Sequence, residues 1–288
     1  MLKLSFQVLL LAALASFGPH LAVAQPGVAP SYLTTDFENH AKAPAECLEL
    51  TIPSHGSRMA AFMYTAAGPQ AHPTLILLHG FPGNERNLDL AQAVRRTGWN
   101  VLYFDYRGSW GSEGEFAFAN CVADVSSVVA FCKKQAKTLR IDTTKLALFG
   151  HSMGGWVALK ALPQLPGITK AIILSPWDIY GTATGPDAAR TSTEQYASQL
   201  FMLHPAPNQS LLAPVVADAA AYQLTTIGPA LRNKQLVFLD ENRRNEGWIK
   251  PIGAANKAGF RYEVWATDHP FSNKRIDLTK TAIAFLNK

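Results

Sequence analysis

The stretch "ALFGHSMGGWVAL", residues 147–159, constrains this chain most. An apolar β-type run ends at Gly150 and an apolar helical run resumes at Gly154-Gly155, with His151-Ser152-Met153 between them. Glycine is costly inside regular structure because it loses the most backbone freedom on folding. Glycines at this density are expected where two backbones pass close together. A serine at the apex of so sharp a strand-to-helix turn is held in a strained conformation, with its hydroxyl pushed outward. The helix N-terminus that follows offers backbone N–H groups suited to a developing oxyanion. Ser152 is therefore the candidate nucleophile and the Met153 N–H a candidate oxyanion donor. The bland alternative is a glycine-rich connection with an incidental serine, and the surrounding pattern argues against it.

That pattern alternates strand and helix. "CLELTI" (47–52) and "RMAAFMYTA" (58–66) read as an antiparallel pair, and "TLILLHG" (74–80) as a strand buried on both faces. Then come a helix at 88–98, a strand at 100–108, a helix at 120–136 and the strand 145–150. The helix 154–165 and the strand 170–176 follow. Strands return at 235–239 and 261–266, before an amphipathic helix at 275–286. This order predicts an α/β class fold, a mostly parallel doubly wound sheet. Right-handed crossovers place the strand C-termini along one edge, where sites form. Residues 177–230 carry only short helical pieces and read as a helical cap insertion. The domain proper spans 47–288, after a loose Pro/Ala-rich lead-in at 25–46.

Residues 1–24 read as a secretory signal peptide. Lys3 precedes an apolar run shorter than the ~20 residues a membrane span needs, and Ala22-Val23-Ala24 marks a cleavage site before Gln25. The expected location is secreted or periplasmic, with no stable membrane insertion after cleavage. The net charge of +5 comes from scattered Lys and Arg. That describes a solvated surface and not a nucleic-acid stripe. Export permits disulfides, but Cys121 and Cys132 lie about 16 Å apart on one straight helix, too far to bond. The expected state is buried thiols; any bridge would have to include Cys47.

A serine hydroxyl needs a base within hydrogen-bond reach. Of the eight histidines, only His269, after the last strand and before the last helix, has the chain position of that base. His79 is expected to be structural. The next residues, Gly80-Phe81, end the first long strand and make the Phe81 N–H the second oxyanion donor. The acid should follow the strand 235–239, which runs into Asp240-Glu241. Glu241 has the longer reach. Asp240 remains open, and so does Asp178 after the preceding strand.

The chain resembles the α/β-hydrolase superfamily through His79-Gly80, Gly150-His151-Ser152-Met153-Gly154-Gly155 and Asp268-His269. "DYRGSWGSEGEF" (105–116) is similar to a segment of serine-aminopeptidase-like and prolyl-oligopeptidase-like hydrolases. The chain departs from the family in lacking the usual Gly-x-x-Asp after the penultimate strand. The resemblance implies an exported serine hydrolase that cleaves carboxylic ester, thioester or amide bonds of a small-molecule acyl substrate. Its chemistry requires no metal or organic cofactor. A peptidase of the same branch is one alternative, and a non-catalytic ligand-binding protein on this fold is another. Acyl group, leaving group and oligomeric state are not readable from the sequence.

Overall fold

The computed structural model describes residues 29–256 and 258–288. The signal-peptide reading and the cleavage site at Ala24 lie outside the described residues. A short turn, α1 (Ser31–Thr34), precedes an antiparallel pair, β1 (Cys47–Ser54) and β2 (Ser57–Tyr64). Then follow β3 (His72–Leu78), α2 (Leu88–Arg96), β4 (Asn100–Phe104), α3 (Phe118–Lys134), β5 (Ile141–His151), α4 (Met153–Ala161) and β6 (Lys170–Leu174). After an insertion come β7 (Gln235–Asp240), a helix at Glu246–Ala255, β8 (Phe260–Val264) and a last helix at Arg275–Leu286. The sheet has eight strands in the order β1-β2-β4-β3-β5-β6-β7-β8. β2 meets β4 antiparallel, and β4, β3, β5, β6, β7 and β8 run parallel.

The reason for the continuous apolar runs is visible in their parity. Successive strand side chains point to opposite faces. Ile76, Leu148, Ile173 and Phe238 enter one core with α3 and α4, while Leu77, Phe149, Ile172 and Val237 enter the other with α2 and the last helix. Both faces are covered, so both parities must be apolar.

Several elements differ from expectation. β4 ends at Phe104 instead of running to 108. The chain leaves the sheet because Asp105 and Arg107 take buried partners: Tyr103 Oη–H donates to Asp105 Oδ1 at 2.9 Å, and Arg107 Nε pairs with Asp124 Oδ1 at 2.5 Å. α4 stops at Ala161 and tightens into a 3₁₀ turn at Leu162–Gln164, where Pro163 lacks the N–H a longer helix would need. No element is expected between the strands 235–239 and 261–266, yet a helix forms there at Glu246–Ala255 with Pro251 and Gly253 inside it.

The insertion between β6 and β7 holds α5 (Ile179–Thr184), α6 (Asp187–Ser198), α7 (Ala213–Ala217) and α8 (Ala219–Tyr222). The later helices are therefore α9 (Glu246–Ala255) and α10 (Arg275–Leu286). α6 buries none of its residues, consistent with a segment lying over the sheet edge. The three thiols are unbridged. Cys121 and Cys132 are buried in α3 as expected, but Cys47 is exposed at the start of the edge strand β1. Among the described residues no helix is long and apolar enough to cross a membrane.

Candidate active site

The C-terminal ends of β3, β5, β6, β7 and β8 bring five loops to one edge of the sheet. Ser152 stands at the end of β5 with φ 56° and ψ −119°, the strained geometry the glycines imply. The glycines around it have no room for a side chain. A Cβ on Gly150 would lie 2.2 Å from Gly154 O, and one on Gly154 would lie 2.0 Å from Leu78 O. The Ser152 backbone is fully used: its N–H donates to Leu174 O at 2.8 Å, and its carbonyl accepts from Gly155 N and Trp177 N. Its side chain caps no helix N–H, and it lines a cavity of about 780 Å³.

His269 lines the same cavity. Its Nδ1 meets Glu241 Oε1 at 3.3 Å. In the tautomer where Nδ1–H donates to that carboxylate, Nε2 keeps its lone pair. Among the described residues no hydrogen bond joins His269 to the Ser152 hydroxyl; such contacts tighten when substrate binds. Glu241 is well held. Its Oε2 accepts from Ser175 Oγ, and its Oε1 also accepts from Asn242 Nδ2 at 2.9 Å and Arg244 at 3.2 Å. Burial alone would raise this carboxyl, but the hydrogen bonds from His269 and Ser175 outweigh it and bring it down to about 2.

Of the three acid candidates only Glu241 reaches His269. Asp240 is the last residue of β7 and shares the parity of Leu236 and Phe238, so its carboxyl turns into the sheet face that α9 covers. There it accepts from Asn245 Nδ2 at 3.2 Å and from Tyr262 Oη–H at 3.3 Å. Burial pushes it up to about 6. Asp178 caps α5 by accepting from Gly181 N at 2.8 Å. The sequence carried no signal for Ser175, which takes a positive φ of 41° where β6 ends.

The two proposed donors sit beside the serine. Phe81 lines the cavity, and a Cβ on the preceding Gly80 would lie 3.1 Å from Ser152 Cβ. Among the described residues the Phe81 N–H, in the loop after β3, and the Met153 N–H, in the first turn of α4, have no hydrogen-bond acceptor. The Phe81 ring packs against Trp177 at 5.5 Å and Tyr196 at 6.0 Å, forming an aromatic wall.

Two further histidines are buried beneath the site. His79 Nδ1 lies 2.7 Å from Gly80 O, and His151 Nε2 lies 3.1 Å from His269 O. Burial lowers His79 to about 4 and His151 to about 3, from an ordinary 6.5. The unfolded chain protonates these rings below about pH 6.5, whereas the fold keeps them neutral. Their stabilisation is thus complete above pH 6.5 and is lost as pH falls toward 4 and then 3. The raised Asp240 and Asp105 carboxyls oppose this, Asp240 between pH 3.8 and about 6 and Asp105 by a smaller shift, whereas both rings already gain a proton on unfolding from pH 6.5 downward. Thermal melts should therefore give a lower Tm at pH 5 than at pH 7.5, and an unchanged Tm would contradict two neutral buried rings.

The family model for serine aminopeptidase, S33, matches residues 69–231. An uncharacterised protein of Escherichia coli O157:H7, YfhR, is 28% identical over 183 residues, which is 60% of this chain and 63% of that one. The chain thus spans less than two thirds of that relative's length. The sn-1-specific diacylglycerol lipase ABHD11 of Xenopus tropicalis is 29% identical over 156 residues, 52% of this chain and 44% of that protein. Among solved structures, the Pyrococcus furiosus esterase Pf2001 superposes with a TM-score of 0.61 at 17% identity, covering 84% of this chain and 91% of that chain. At that identity the likeness concerns the fold.

Proposed function

The chain belongs to the serine aminopeptidase family, S33, within the α/β-hydrolases, and from that premise we propose that it is a serine hydrolase of carboxylic esters. The observation that carries the reading is the contact of His269 Nδ1 with Glu241, in the cavity that the strained Ser152 also lines. Ser152 Oγ attacks the carbonyl carbon while His269 Nε2 takes its proton. Glu241 holds the imidazole tautomer and stabilises the imidazolium. The oxyanion accepts from the N–H groups of Phe81 and Met153. His269 then gives its proton to the departing alcohol, leaving an acyl-enzyme. Water, deprotonated by the same imidazole, releases the acid and restores Ser152.

The aromatic wall of Phe81, Trp177 and Tyr196 suits an apolar acyl group. A peptidase that trims N-termini needs carboxylates for the substrate amine. Among the described residues, Asp178 is the one carboxylate besides Glu241 that lines the cavity, and it already caps α5. Esters are therefore favoured over peptides. The non-catalytic alternative fits poorly with a nucleophile, a base, an acid and two donors all at one edge. Two experiments test the reading. A fluorophosphonate probe should label Ser152, and p-nitrophenyl esters of graded chain length should be turned over faster than aminoacyl anilides. Absence of labelling in folded protein would refute the serine-hydrolase reading.

Export belongs to the same proposal, on the strength of Ala22-Val23-Ala24. Intact-mass analysis of periplasmic material should give a chain beginning at Gln25. A chain retaining Met1 in the membrane fraction would count against cleavage.

A further inference from the structure

The segment 105–116 touches both the loop after β3 and the insertion between β6 and β7, and Trp110 is where the two meet. We propose that Trp110 is a positioning residue for the oxyanion donor at Phe81, and that the insertion holds Trp110 in turn. This rests on the triad and oxyanion assignments above.

The argument starts from one peptide unit. The carbonyl of Gly80 and the N–H of Phe81 share a plane and point in opposite directions. Fixing the carbonyl therefore aims the N–H. His79 Nδ1 lies 2.7 Å from Gly80 O and fixes that side. The next anchor is Pro82 O, which accepts from Trp110 Nε1 at 2.8 Å. Both donors crowd Gly83, where φ is +103° and a Cβ would lie 2.4 Å from His79 Nδ1 and 3.0 Å from Trp110 Nε1. The loop carrying Phe81 is thus clamped on each side of that residue.

The indole is itself fixed. The Arg86 guanidinium lies over its ring, 4.8 Å from the centroid. Trp110 has φ 51°, and its N–H donates to Met202 O at 2.7 Å. Around that bond Ser109 bridges Leu203, His204 N donates to Gly108 O at 2.7 Å, and Phe116 N donates to His204 O at 2.8 Å. Residues 202–204 of the insertion pair with residues 108–110 through backbone groups. The same short segment then reaches the oxyanion loop through one indole N–H. Among the described residues, no other hydrogen bond connects the insertion to Pro82 through this segment.

The test removes that N–H and keeps the ring. Trp110→Phe does so with a smaller ring. Replacing Trp110 with 3-benzothienylalanine, which puts sulfur in place of N–H at nearly unchanged volume, guards against a folding defect. A donor displaced but still present should cost about 10- to 100-fold in kcat, with KM within about two-fold. Phenylboronic acid is the second readout. Its boron accepts the Ser152 oxygen as His269 takes the proton, which sets a boronate oxygen where the oxyanion would be. Its affinity should weaken by the same factor as kcat, which a general loss of packing would not produce. Unchanged kcat and boronate affinity in folded variants would overturn the proposal. So would a raised KM with unchanged kcat, since Trp110 would then be a wall of the substrate cavity. Fluorophosphonate labelling of the wild type at a residue other than Ser152 would strike the triad reading instead.

Discussion

Ser152→Ala is expected to lower kcat on a p-nitrophenyl ester by about 10⁶-fold, the cost of losing a triad nucleophile. The fold should survive. The Ser152 side chain caps no helix N–H, so its removal leaves no helix donor without a partner. The strained φ of 56° is imposed by the surrounding close contacts and is as unfavourable for alanine as for serine. Tm and far-UV circular dichroism should therefore match the wild type while turnover disappears. The variant should also fail to react with a fluorophosphonate. Residual activity above a tenth of wild type would reject Ser152 as nucleophile, because neither the oxyanion donors nor substrate binding can supply a bond to the acyl carbon.

The glycines of the elbow were legible in the sequence because sterics leave no substitute: backbone oxygens lie only 2.2 Å and 2.0 Å from where a Cβ on Gly150 or Gly154 would go. The parallel strands were legible for a similar reason, since burial on both faces forces continuous apolar runs. What was not legible depends on contacts distant in sequence. Asp240 and Glu241 are adjacent and chemically alike, and only the parity of β7 separates them. Ser175 looks like an ordinary residue until Glu241 turns back to meet it. The segment 105–116 was visible as a motif, but its role comes from pairing with residues 202–204, some ninety positions later. Helix α9 hid behind Pro251 and Gly253, whose breaking tendency is overridden by the burial of Trp248, Ile249 and Ile252.

The acid gives the second large effect. Glu241→Gln keeps the side-chain length but can offer an N–H to His269 Nδ1, which favours the wrong tautomer, and kcat should fall by about 10⁴-fold or somewhat less. Asp178→Asn should cost far less, since it disturbs a helix cap and not the imidazole. Asp240→Asn separates the two adjacent carboxyls by sign as well as size. Its catalytic effect should be small, because its partners are Asn245 and Tyr262. Its effect on stability should be favourable at neutral pH. Burial raises the folded-state carboxyl to about 6, so the protonated form is the one the fold prefers. The stabilisation that Asp240 contributes is present below about pH 4 and lost as pH rises through 6. Asparagine never carries the charge and can still accept from Asn245 and donate to Tyr262. Asp240→Asn should therefore raise Tm at pH 8 and leave it nearly unchanged at pH 4. Measured on one ester, the three variants give a distinct pattern for each assignment. If Asp240→Asn abolished turnover while Glu241→Gln kept it, the carboxylate holding His269 would be Asp240, and the contact that carries the triad reading would be wrong.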